Sequence, residues 1–231
     1  MDKFKIRDRT NAQEAWDIFV NRYIELFLHA LVKLREESDL DESNENSISE
    51  RLLIRLRESC CEFMNKRDIR LYVPVWECPI QPTSLQDSRG GQLGKRPDFT
   101  CVFPNPRPGS HENYERYLHI ECKVIGRGSA IESRDKRNYV SEGILRFDNT
   151  EHKYGKNAQT GIMIGYIVGE TLEHIQESIN GFIQTYINYH RPLQFDFNEI
   201  NICQSHNQFE RQHVLPVNFL LVHIWIDLRN N

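Results

Sequence analysis

The sequence predicts an α/β domain: a mixed central β-sheet flanked by helices, with a helical extension at its N-terminus. Three observations carry this prediction. Two long stretches near the start repeat apolar residues at three- and four-residue spacing. Three β-rich runs follow between residues 70 and 125. The rest of the chain alternates helix, strand, helix, strand. The extension takes residues 1–40 and the domain residues 41–231.

Residues 11–35 form the first helix, with Trp16, Phe19, Val20, Tyr23, Phe27, Ala30, Leu31 and Leu34 on one stripe. A stripe so wide needs a cover, and the rest of the domain is the expected one, with a second subunit as the alternative. The second helix spans residues 45–64, with Ile48, Leu52, Leu53, Leu56, Cys60, Phe63 and Met64 on its stripe. Glu45 falls within the angular range of that stripe and Glu50 at its polar edge. Glu45 therefore either has a partner inside the fold or is a first-turn acid favoured by the helix dipole.

Residues 70–78, 97–103 and 117–125 read as strands. A turn-rich stretch with Gly90, Gly91 and Gly94 lies between the first two, and a proline-rich loop over residues 104–113 between the second and third. A short helix over 139–149, a strand over 161–168, a long amphipathic helix over 171–190 and a last strand over 217–228 complete the order.

Composition narrows the function. The chain has 231 residues, 29 Lys or Arg against 33 Asp or Glu, and a net charge of −4, which describes one ordinary globular domain. The longest apolar stretch, Val217 to Ile226, is too short to span a bilayer. No basic start, apolar run and small-residue cleavage site open the chain, so the expected location is the cytoplasm, with no membrane association. None of the six cysteines sits in a C-x-x-C pair, which points to reduced, buried thiols rather than zinc. H-E-x-x-H, Walker A, G-x-G-x-x-G and G-x-S-x-G patterns are all missing. Residues 36–50 carry seven acids and no base, as a solvated linker would. Residues 89–156 hold 13 Lys or Arg against 9 Asp or Glu. A basic middle in an acidic chain suits a polyanion held at one face, although an ordinary solvated surface has the same composition.

The chemistry concentrates at Pro97-Asp98 and at Glu121-Cys122-Lys123. Alternation along the third strand puts Glu121 and Lys123 on one face and Ile120, Cys122 and Val124 on the other, toward a core. Asp98 enters from the neighbouring strand. Two carboxylates converging across adjacent strands make a hard oxygen site suited to Mg²⁺ or Mn²⁺. Lys123 would orient or deprotonate a metal-bound water and offset charge growing on a phosphate.

Asp98, the 22 residues between it and Glu121, and the Glu-x-Lys ending resemble the PD-(D/E)XK nuclease superfamily, whose fold is restriction-endonuclease-like. The order of elements around them resembles it too. A second Glu-x-Lys, Glu151-His152-Lys153, lacks a strand context. The resemblance implies that Asp98, Glu121 and the Cys122 carbonyl hold the metal and that Lys123 is the catalytic lysine. It further implies a metal-binding acid on the helix before the first strand, for which Glu45 is the choice and Glu50 the fallback.

Tyr139-x-x-x-Gly143-x-x-Arg146-Phe147, Tyr154 and Gly161 to Tyr166 are similar to a pattern in small bacterial nucleases of defence loci. That similarity puts Arg146 on a phosphate, with Lys136, Arg137 and Lys156 extending the contact to a nucleic-acid backbone. Tyr139 and Tyr166 read as core residues and His119 as a satisfied strand histidine. The expected protein is thus a Mg²⁺-dependent endonuclease acting on DNA as a defence effector, working as a homodimer or under a partner protein that recognises or triggers. The alternatives are a catalytically silent nuclease-fold module that binds nucleic acid or a partner, and an interaction protein built around its first helix.

Overall fold

The computed structural model describes residues 3–42, 44–82, 94–104, 114–127, 129–187 and 192–229. Helices α1 (Lys3–Arg35) and α2 (Glu45–Arg67) lead into strands β1 (Val75–Trp76), β2 (Phe99–Pro104) and β3 (Glu115–Ile125). Helix α3 (Ser129–Ser141) and a 3₁₀ turn (Ile144–Asp148) precede β4 (Thr160–Ile167). Helix α4 (Leu172–Tyr186), β5 (Ile202–Glu210) and β6 (Asn218–Asp227) follow. The strands make one mixed six-stranded sheet in the order β1-β2-β3-β4-β6-β5. The β3–β4 and β4–β6 pairs are parallel and the outer pairs antiparallel.

Strand alternation divides the core into two layers. Leu118, Ile120, Cys122 and Val124 of β3, with Ile162, Ile164 and Tyr166 of β4, bury against α1 and α2. The apolar stripe of α1 is thereby covered within the same chain. Met163 and Ile167 of β4, with Leu221 and Trp225 of β6, bury against α3, the 3₁₀ turn and α4. Helices thus cover both faces, as a sheet with a parallel centre requires. Among the described residues no helix is long and apolar enough to cross a membrane.

Several elements differ from their sequence expectation. The first strand pairs over only Val75–Trp76. Pro74 before it has no N–H to give a ladder, and the Tyr72 carbonyl accepts instead from Tyr23 Oη at 3.0 Å. The helix expected over 139–149 is two elements. An α-helix ends at Ser141 and a 3₁₀ turn follows Gly143. Strand β5 escaped the sequence reading because six of its nine residues are polar. It is an edge strand whose alternate side chains face solvent. The acidic linker is only partly solvated: Glu37 is buried and accepts from Arg55 Nε at 2.7 Å. The Gly90-Gly91 turn and most of the proline-rich loop lie outside the described residues.

Candidate active site

Strand β3 outruns β2. Their antiparallel pairing ends at Phe99↔Ile120, yet β3 continues to Ile125. The N–H groups of Cys122 and Val124 point to the side that β2 has vacated, and two carboxylates take them. Asp98 Oδ2 accepts from Cys122 at 2.6 Å and Glu45 Oε2 from Val124 at 2.9 Å. Asp98 immediately precedes β2, so the end of that strand delivers it. Glu45 is the first residue of α2, placed there by the Asn44 cap, whose side chain accepts from Asn46 N. Backbone donors that would otherwise lack partners therefore fix both acids.

Lys123 joins them into one cluster. Its Nζ lies 2.9 Å from Glu45 Oε1, 3.1 Å from Glu121 Oε1 and 2.7 Å from the Cys122 carbonyl. Residues far apart in the chain, 45, 98 and 121–123, thus meet at the end of one strand. Of the two acids on α2, Glu45 joins this cluster, whereas Glu50 is exposed. Glu121 is fully buried and also pairs with Arg146.

Gly143 and Gly161 let Arg146 reach Glu121. A Cβ at Gly143 would overlap the Tyr139 carbonyl and the Met163 methyl, so only glycine permits the change from α3 to the 3₁₀ turn here. A Cβ at Gly161 would overlap the Phe147 ring, which seats that turn on β4. Arg211 holds the segment after the turn. Its buried guanidinium donates to the carbonyls of Phe147, Tyr154, Gly155 and Ala158 and lies 4.0 Å from the centre of the Phe219 ring.

Electrostatics follow from burial and company. Burial raises the Glu121 carboxyl, while Lys123 and Arg146 pull it back toward its charged form. Burial also raises Asp98, opposed by Lys123 and the Cys122 N–H. Burial works to lower Lys123, but Glu121, Glu45 and Asp98 outweigh it and hold the ammonium above an ordinary lysine.

Other residues singled out by sequence go elsewhere. Lys136 is buried in an ion pair with Glu170 at 2.7 Å, which removes its charge from the surface around the site. Arg137 is exposed on α3, and Lys156 is half-buried in the turn before β4. His119 is buried, and its Nδ1 accepts from Gly155 N at 2.9 Å. Burial drives it down to about 3, so the ring is neutral. Tyr139 Oη bonds His223 Nδ1 at 2.7 Å, and Tyr166 Oη lies 3.4 Å from Ser49 Oγ, both in the core. Glu151-His152-Lys153 sits in a turn, with Glu151 bound to Lys95.

An open cleft beside Lys123 is lined by Glu45, Arg127, Asp135, Asn138, Glu142 and Arg146. Buried Asp135 fixes the Arg127 guanidinium through bonds of 2.8 and 3.0 Å. Sequence reading missed this pair. It joins a residue just after β3 to one within α3, and a periodicity read along either element does not show how the two are placed.

The donor set suits a hard cation: two carboxylates, Asp98 and Glu121, beside the Cys122 carbonyl. Glu121 Oε2 is buried without a hydrogen-bond partner. A carboxylate oxygen left bare in the interior is costly, and a divalent cation is a ligand that would relieve it. Among the described residues no group of three His, Cys, Asp or Glu side chains is gathered as a ready metal site; Lys123 pairs with Glu45 and Glu121, and Arg146 with Glu121. No family model, curated protein or solved structure matches this chain.

Proposed function

We propose that this chain is a metal-dependent nuclease of the PD-(D/E)XK type, with a restriction-endonuclease-like fold, that hydrolyses phosphodiester bonds in DNA. One observation carries the proposal. Asp98, Glu121, Lys123 and Glu45 converge around the end of β3, where hard oxygen donors stand beside an ammonium and an open cleft. Asp98, Glu121 and the Cys122 carbonyl would hold Mg²⁺ or Mn²⁺. That ion supplies Lewis acidity and a water of lowered pKa when bound. Lys123, charged among three carboxylates, orients the attacking water and offsets the negative charge growing on the phosphate. Glu45 holds Lys123 in place, and Arg146 supplies the phosphate contact. A second copy or a partner protein selects the target, and a role as a bacterial defence effector follows from the sequence resemblance alone.

The test is cleavage of supercoiled and linear DNA with Mg²⁺, Mn²⁺ or EDTA by the wild type and Lys123→Ala, with both melted in parallel. Cutting that needs metal and disappears in a folded Lys123→Ala supports the nuclease. A second reading, a catalytically silent module, draws on the pairing of the site's carboxylates with cations of this chain. Metal-independent DNA binding without cleavage, undiminished in Lys123→Ala, would favour it.

A further inference from the structure

We propose that Arg146 is an exchangeable counter-ion. It occupies Glu121 until a divalent cation takes that carboxylate, and then turns into the cleft to meet a substrate phosphate. This rests on the metal-dependent reading above and adds a coupling between the metal and the polyanion.

The argument begins with an ion pair that is poorly satisfied on both sides. Glu121 is fully buried; its Oε1 meets both Lys123 and Arg146, while Oε2 has no partner. On the other side, Arg146 Nε is buried without a partner. An arginine and a carboxylate can meet as a fork, with two parallel bonds that satisfy both groups. Here one guanidinium nitrogen and one oxygen make the contact, and each partner keeps a stranded polar atom. Such a pair is held by charge more than by geometry, and each side gains from a better partner. For Glu121 that partner is a divalent cation, and for Arg146 a phosphate.

The way out is short. The Arg146 side chain is 24% exposed and lines the same cleft as Lys123 and Arg127. Glu142 Oε2, itself on the cleft wall, lies 3.4 Å from its second terminal nitrogen. A rotation of the side chain on its 3₁₀ turn carries the guanidinium from Glu121 toward that wall. In the absence of substrate Arg146 competes with the cation. A phosphate in the cleft draws it away, so metal and polyanion strengthen each other's binding by the same factor.

The test is calorimetric titration of Mn²⁺ into the full chain. The proteins are wild type, Arg146→Gln, Arg146→Ala and Asp98→Asn, with melting curves for each. Removing an internal competitor should tighten Mn²⁺ binding, by about tenfold for a lost charged hydrogen bond. An uncleavable phosphorothioate duplex should tighten Mn²⁺ binding to the wild type and leave the Arg146 variants unchanged. The wild-type arm needs no variant to fold. Equal or weaker Mn²⁺ binding in a folded Arg146→Gln, or no effect of the duplex on the wild type, would make Arg146 a fixed salt bridge and overturn the proposal. Mn²⁺ binding absent from every protein, or indifferent to Asp98→Asn, would instead bring down the metal-dependent reading itself.

Discussion

The Cys122 N–H donates to the Asp98 carboxylate across 2.6 Å, just past the point where β2 stops pairing with β3. A proposed metal ligand thus also completes the edge of a strand. Asp98→Asn keeps a side-chain oxygen able to accept that bond, whereas Asp98→Ala leaves the amide bare. Denaturant unfolding should show Asp98→Asn close to wild type and Asp98→Ala less stable by about 1–2 kcal/mol. Both should lose metal-dependent cleavage. Equal destabilisation of the two would show that the amide bond contributes little.

Lys123 and Glu45 should be energetically coupled. Their contact spans 2.9 Å, with the lysine nearly buried beside fully buried Glu121. Lys123→Met removes one of the two cations on Glu121 and should cost roughly 3 kcal/mol, as breaking a buried pair does. Glu45→Gln should cost less, since the amide oxygen can still accept from Val124. A double-mutant cycle by urea unfolding should return a coupling of about 1–2 kcal/mol, and a value near zero would remove Glu45 from the cluster.

Gly143→Ala tests how Arg146 is delivered. The added methyl would overlap the Tyr139 carbonyl and Met163, so the turn bearing Arg146 must shift. Melting should register a loss on the order of 1–3 kcal/mol, typical of overpacking. DNA binding should weaken along with it. A variant as stable and as tight-binding as wild type would show that the turn tolerates displacement.

Acid should weaken the fold through His223. Burial, with the charge of His206 added, lowers this ring from its ordinary 6.5 to about 3, and its Nδ1 meets the Tyr139 hydroxyl at 2.7 Å. Between those two values the unfolded chain binds a proton that the folded chain refuses. Stability therefore rises with pH across that window and is lost as pH falls, by about 1.4 kcal/mol per unit for one such group. Urea unfolding of wild type and His223→Gln at several pH values should show a shallower acid slope in the variant by about that amount. Parallel slopes would place the acid sensitivity elsewhere.

Much of this molecule was legible residue by residue. Period-two alternation alone put Glu121 and Lys123 on one face of β3 and Cys122 toward the core, because successive strand side chains must oppose each other. The 3.6-residue period exposed the stripes of α1 and α2, and Glu45 stood out as an acid on an apolar face. Strand β5 and helix α3 were less visible. One is an edge strand and the other a largely polar helix, and neither carries enough apolar residues to impose a period on its sequence.

Which partner each charged group takes was decided by the tertiary structure. Lys136 and Arg146 look alike in sequence, two cations shortly after β3. The fold carries Lys136 to Glu170 beyond β4 and Arg146 back to Glu121. It also ends β2 early enough to leave two β3 amides for Asp98 and Glu45. Side-chain direction along a strand or helix is a local property, set by the backbone of a few neighbouring residues. Pairing of charges depends on how strands are ordered and where each stops, and that is settled only when the whole core packs.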